Sequence, residues 1–180
     1  MKTTDMMYAS LFTAIVAVLG ILPPIMLPFI PVPITAQTLG VMLAGTILGA
    51  RLGGLSLFLF VMLVVAGAPI LSGGRGGLGT IIGPSGGFIL SWPIAAYVIG
   101  LLVQKFMPYI NFWKLFLINI FGGIIIVYMI GIPWLAILTD LSLEKAAAGS
   151  AIYLPGDTIK AIIVSTIAPQ LLKRAQLIRA

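Results

Sequence analysis

Apolar positions in this chain come in long blocks rather than alternating. Blocks at 6–22, 35–49, 55–68, 88–106, 112–132 and 157–172 carry few or no charges. Several approach the ~20 apolar residues a helix needs to cross a bilayer. The pattern predicts an all-α integral membrane protein. We expect a six-transmembrane-helix bundle with irregular outer-side loops, forming a single membrane-embedded substrate-binding domain over 1–180.

Three stretches interrupt the blocks. Residues 23–33 hold Pro23, Pro24, Pro28, Pro31 and Pro33, too many for a regular helix, yet the stretch is apolar. A stiff loop folded over or into the bundle fits, because irregular backbone at that depth needs protein or a water-filled cavity to satisfy it. Residues 67–87 hold nine glycines and one charge, Arg75. Glycine permits sharp turns and close approach to a ligand. Residues 134–153 are less apolar and carry Asp140, Glu144 and Lys145; a short helix near 143–148 should lie at the interface or re-enter. A tight turn is expected at 49–54.

Composition strengthens this picture. The chain is 61% hydrophobic and 8% charged, with mean hydropathy +1.21. Cysteine and histidine are absent, so disulfides, thiol catalysis and the usual zinc or haem sites are excluded; no metal site and no cofactor are expected. The net charge of +6 is no nucleic-acid signal, because the basic residues are scattered at block ends. With both termini inside, Lys2, Arg51, Lys105, Lys114, Lys173, Arg174 and Arg179 fall on the inner side, against Arg75, Lys145 and Lys160 outside, in line with the positive-inside rule. Trp92 and Trp134 then fall at the outer interface and Trp113 at the inner. The N-terminus does not read as a cleavable signal peptide: Lys2 is followed by Asp5 and the first apolar run is long.

The chemistry concentrates in the stretch LPGDTIKA at 154–161. Asp157 and Lys160, three apart on a helix, share one face. Pro155 and Gly156 should break any preceding helix, with Asp157 capping the next. A charge at membrane depth costs about 3 kcal/mol on insertion scales. Either the pair neutralises itself or it holds a polar substrate. Gln37, in the first turn of the second helix, faces a cavity or caps the turn. Arg75 suits a carboxylate or a lipid headgroup. Asn119 and Tyr128 could each face a ligand, but interhelical hydrogen bonding is the commoner use. In the first helix, Ala9, Thr13 and Ala17 form a small-residue stripe with Ser10 and Ala14 beside it, suited to internal packing or to docking a partner helix.

Other chemistry is missing. Gly74, Gly76 and Gly79 satisfy G-x-G-x-x-G, but without a preceding strand or following acid. There is no phosphate-binding G-x-x-x-x-G-K-[ST] loop and no histidine base. A Ser–Lys pair using Lys160 lacks support from spacing, and no chain of buried acids suggests a proton relay. The chain reads as able to bind a small polar molecule at its outer face, but unable to power uptake. That predicts a partner supplying ATP hydrolysis.

FIPVPITAQTLGVMLAG (29–45), GARLG (49–53), GGRGGLGTIIGPSGGF (74–88) and LPGDTIKA (154–161), in this order and spacing, resemble the BioY family, the biotin-binding S components of energy-coupling factor (ECF) vitamin transporters. The resemblance implies a six-helix bundle in the plasma membrane with both termini cytoplasmic, and a biotin cavity near the outer surface. It also implies a transmembrane coupling protein and two ATPase subunits as partners, with the S component toppling to deliver its ligand. The first-helix residues Ala9, Thr13, Ala14 and Ala17 would dock the coupling protein. Asp157 suits the ureido N–H groups, Lys160 the ureido carbonyl and Arg75 the carboxylate, while Trp92 and Tyr153 would pack on the ring system. Competing readings are an S component for another vitamin, a small membrane enzyme using Asp157 and Lys160, and a channel or scaffold.

Overall fold

The computed structural model describes residues 3–27 and 30–179; Lys2 and Pro28 lie outside them, as do the side chains of Lys173, Arg174 and Arg179. The chain is mostly helical. The order is α1 (Thr3–Leu19), β1 (Ile25–Leu27), β2 (Ile30–Ile34), α2 (Gln37–Leu48), α3 (Ala50–Val65), α4 (Leu78–Ile81), α5 (Gly86–Phe106), α6 (Phe112–Ile120), α7 (Val127–Thr139), α8 (Leu143–Ser150) and α9 (Leu154–Arg179). A π-helical turn, Phe121–Ile126, joins α6 to α7 without a break, and a 3-10 turn, Ala151–Tyr153, joins α8 to α9.

The proline stretch is a strand pair rather than the expected irregular loop. It forms a two-stranded antiparallel hairpin pairing Ile25 with Ile34 and Leu27 with Ile30. Five prolines in eleven residues exclude a regular helix, but proline tolerates strands that have a free edge, and a two-stranded ribbon has one on each side.

Helix boundaries move for related reasons. The expected 49–54 turn shrinks to Gly49 at φ +79°, so Arg51 lies in the first turn of α3. The helix expected to stop at 132 runs on through Pro133 to Thr139; a membrane helix tolerates proline when neighbouring groups re-satisfy the freed carbonyl. The last helix starts at Leu154, not Asp157. Pro155 and Gly156 occupy its first turn, where the missing N–H would have had no partner anyway. Asp157 therefore does not cap the helix.

The helix α5 is central, packing on α2, α3 and α7, while α9 packs on α2 and α6. Close approach depends on glycine: a Cβ on Gly45 would lie 2.6 Å from the Ala96 carbonyl oxygen. Two apolar groups fill the interior. One holds Phe60, Phe88, Trp92 and Tyr153. The other joins Met42, Ile99 and Leu115 to Ala161, Val164 and Ala168 of α9. The exterior is also apolar, with Phe58, Met62, Ile94, Leu117, Met129 and Ile137 exposed. Gly86–Phe106, Phe112–Thr139 and Leu143–Leu172 are long and apolar enough to cross a membrane; Thr3–Leu19, Gln37–Leu48 and Ala50–Val65 are shorter apolar helices.

Candidate small-molecule site

A cleft opens where the hairpin, the glycine-rich loop and the ends of α2, α5, α7 and α9 meet. Its empty volume, open mouth included, is about 580 Å³. Asp157, Lys160, Arg75, Gln37, Trp92 and Tyr153 all line it. So do Thr35, Thr38, Phe88 and Tyr128, which sequence reasoning had not assigned to the site.

The charged pair forms as the three-residue spacing requires. Lys160 Nζ lies 2.8 Å from Asp157 Oδ1. Lys160 also donates to the Thr35 carbonyl (2.6 Å) and to Thr38 Oγ1 (2.8 Å). Thr38 donates to Asp157 Oδ1 at 3.0 Å, and the Tyr128 hydroxyl donates to Asp157 Oδ2 at 2.8 Å. An ammonium has three hydrogens, and Lys160 has committed all three. The carboxylate offers about four acceptor positions. Two partners sit on Oδ1 and one on Oδ2, so Oδ2 retains one.

Gln37 neither caps its turn nor offers free polar atoms to the cleft. Fully buried, it donates through Nε2 to the carbonyls of Val16 and Ile70 (both 3.1 Å). Its Oε1 accepts from the Ser72 N–H at 3.1 Å and the Ser72 hydroxyl at 3.4 Å. This binds the glycine loop to α1 and α2. Arg75 is half-buried and pairs with Leu71 through the backbone. Its Nε donates to the Ser72 carbonyl at 3.2 Å, and its terminal nitrogens have no hydrogen-bond partner among the described residues. Burial pulls its pKa below the ordinary value, a bias against the cation that an anion alongside would offset.

The aromatic wall is built from α5. Phe88 meets Tyr128 and Tyr153 edge-on, at 6.2 and 6.4 Å between ring centroids. The Tyr153 hydroxyl donates to the Val32 carbonyl at 2.7 Å, holding the hairpin over the cleft. Trp92 is not at an interface: it is 4% exposed and leans on Phe60 at 5.7 Å. Val127 and Tyr128, the first residues beyond the π-turn, reach the cleft; such turns often occur at functional sites. Asn119 makes the expected interhelical bond, accepting from Thr46 at 3.3 Å.

The first-helix stripe divides. Ala9 and Thr13 are buried, and Thr13 donates to the Ser56 carbonyl of α3 at 2.8 Å. Both side chains face the interior of the bundle. Ala17 is half-buried, and Ala14 with Ser10 is exposed.

Fold and cleft together define a helical membrane protein with a small-molecule pocket at one end of its bundle. Residues 1–177 match the BioY family, and the chain belongs to that family. It is 44% identical over 172 residues to the biotin transporter BioY of Rhizobium etli, covering 93% of this chain and 92% of that one. It is 46% identical over 168 residues to the probable biotin transporter BioY of Bacillus subtilis, covering 93% and 90%. A solved crystal structure, the S-component for biotin from an ECF-type ABC transporter, superposes with a TM-score of 0.91 at 34% identity, covering 96% of this chain and 95% of that one.

Proposed function

We propose that this chain is the biotin-binding S component of an ATP-driven ECF-type uptake transporter. It captures biotin at the extracellular side and delivers it inward with a transmembrane coupling protein and two ATPase subunits. The observation that carries the reading is Asp157: a buried carboxylate on the cleft wall, with one acceptor position left on Oδ2, in a chain whose relatives are named biotin transporters. An acceptor-only group suits a ureido N–H, and the Arg75 guanidinium suits the carboxylate of the tail.

The same reading makes the whole chain one membrane-embedded domain with six crossings: α1, α2, α3, α5, α6–α7 and α9. Arg51, Lys105 and Lys114 lie at helix ends away from the cleft, so the positive-inside rule turns the cleft outward and both termini to the cytoplasm. On α1, the exposed Ala14 and half-buried Ala17 are the small residues best placed to dock the coupling protein.

The relatives and the solved neighbour point to a transporter, not an enzyme. The chemistry agrees, because an ammonium with all three hydrogens held by acceptors is a poor general base. The test is calorimetric titration of the purified protein in detergent with biotin, thiamine and riboflavin. Roughly stoichiometric binding of biotin alone supports the assignment. Folded protein that ignores biotin removes it, and binding of another vitamin reassigns it.

A further inference from the structure

The Trp92 indole N–H has no hydrogen-bond partner among the described residues and is closed off from solvent. Leaving a buried donor unpaired costs about 1–3 kcal/mol. Trp134, by contrast, donates its N–H to the Gly83 carbonyl at 3.0 Å. A phenylalanine at position 92 would pack against Phe60 without carrying the cost.

The donor inventory of the cleft gives the unpaired N–H a use. Lys160 has no hydrogen left. The hydroxyl hydrogens of Thr38, Tyr128 and Tyr153 go to Asp157 and to the Val32 carbonyl. Both N–H groups of Gln37 go to backbone carbonyls. The hydroxyls of Thr35 and Ser85 rotate and can accept as readily as donate. Arg75 is a cation suited to an anion. Trp92 can only donate, and nothing among the described residues accepts from it. It lies one helical turn beyond Phe88, whose ring meets Tyr128, the partner of Asp157.

We propose that the Trp92 indole N–H donates to the neutral acceptor of the ligand's head group, the ureido carbonyl of biotin. This rests on the biotin reading above. Asp157 then reads a ureido N–H and Trp92 the carbonyl, while Lys160 is a positioning residue that fixes Asp157, Thr38 and the Thr35 carbonyl. A head group with a donor in place of the carbonyl meets N–H against N–H and is rejected.

The experiment compares biotin with 2-iminobiotin, in which the ureido carbonyl is replaced by an N–H-bearing group, on wild-type protein and Trp92→Phe. Biotin affinity should fall about five- to tenfold, the worth of one neutral hydrogen bond. The affinity for 2-iminobiotin should hold or rise, so the preference for biotin shrinks. Equal losses for both ligands would overturn the proposal, since lost packing penalises them alike. A second measurement keeps the test open if the variant misfolds. Indole-¹⁵N-labelled wild-type protein has three tryptophans, Trp92, Trp113 and Trp134, assignable through Trp113→Phe and Trp134→Phe. The Trp92 N–H resonance should move downfield with biotin and not with 2-iminobiotin; no movement with biotin would also overturn it. A wild-type protein that binds neither ligand removes the biotin reading and this proposal together. Biotin binding with an unchanged preference removes this proposal alone.

Discussion

Gln37 and Thr38 are neighbours in the first turn of α2, yet they belong to polar clusters of opposite kinds. The Gln37 amide is closed: its donors and its acceptor are committed to Val16, Ile70 and Ser72, and it is 0% exposed. Thr38 belongs to an open cluster. It accepts from Lys160 and donates to Asp157, and the second oxygen of that carboxylate still has room. Both clusters place costly polar groups in an apolar chain. Residual capacity separates them: a saturated cluster can only hold structure, while an unsaturated one can exchange a partner for a ligand.

Substitutions can break this contrast from either side. The largest effect is expected from Asp157→Asn, which turns an acceptor into a donor and strips Lys160 of its counter-charge. Biotin binding should weaken by about 2–5 kcal/mol, and the thermal midpoint should fall as well, because Lys160 is left buried without its counter-charge. Calorimetry on monodisperse protein checks this, and wild-type affinity would show that the open cluster is not the site.

Gln37→Leu should lose stability without losing binding. The carbonyls of Val16 and Ile70 and the N–H of Ser72 lose their partners, at about 1 kcal/mol each. Thermal unfolding in detergent should report a loss of about 3 kcal/mol, and hydrogen exchange should quicken at residues 66–77. The folded fraction should bind biotin nearly as before.

Tyr128→Phe sharpens the contrast further. It removes one bond to an ionised group, worth about 1.5–3 kcal/mol of stability, and biotin binding should weaken with it, because Asp157 loses the hydroxyl that holds Oδ2 in place. Tyr153→Phe should have the smallest effect, about 1 kcal/mol, as the Val32 carbonyl loses its partner. The expected readout is faster proteolysis of the 25–34 hairpin.

The open cluster was half legible in the chain itself. The spacing of Asp157 and Lys160 puts them on one helical face whatever the tertiary structure, so their pairing could be derived. Thr38 and Tyr128 could not be found in the same way. A hydroxyl in an apolar helix usually joins two helices, and Tyr128 does so; only packing reveals that its partner is Asp157. Gln37 was visible as a polar residue among apolar ones, but its saturation depends on backbone groups on α1 and in the glycine loop. In the fold, the helical blocks were legible because apolar runs of this length have few alternatives. Proline misled in both directions. It rules out the helix interior in general, yet Pro133 is tolerated inside α7, Pro155 fits a first turn, and Pro31 and Pro33 lie in an edge strand.

The bonds that close the cleft join residues 119, 122 and 125 positions apart, from Thr38 to Asp157 and from Lys160 to Thr38 and Thr35. At ~5–20 residues per second, a ribosome needs roughly 6–24 seconds to travel from one side of these bonds to the other. Until α9 emerges, α2 waits with its threonines unmatched and there is nothing for a ligand to grip. Asp157 and Lys160, three residues apart, arrive together and can neutralise each other before either meets α2. The spacing that shapes the finished site also lets the helix carrying it enter the membrane as a self-compensated unit.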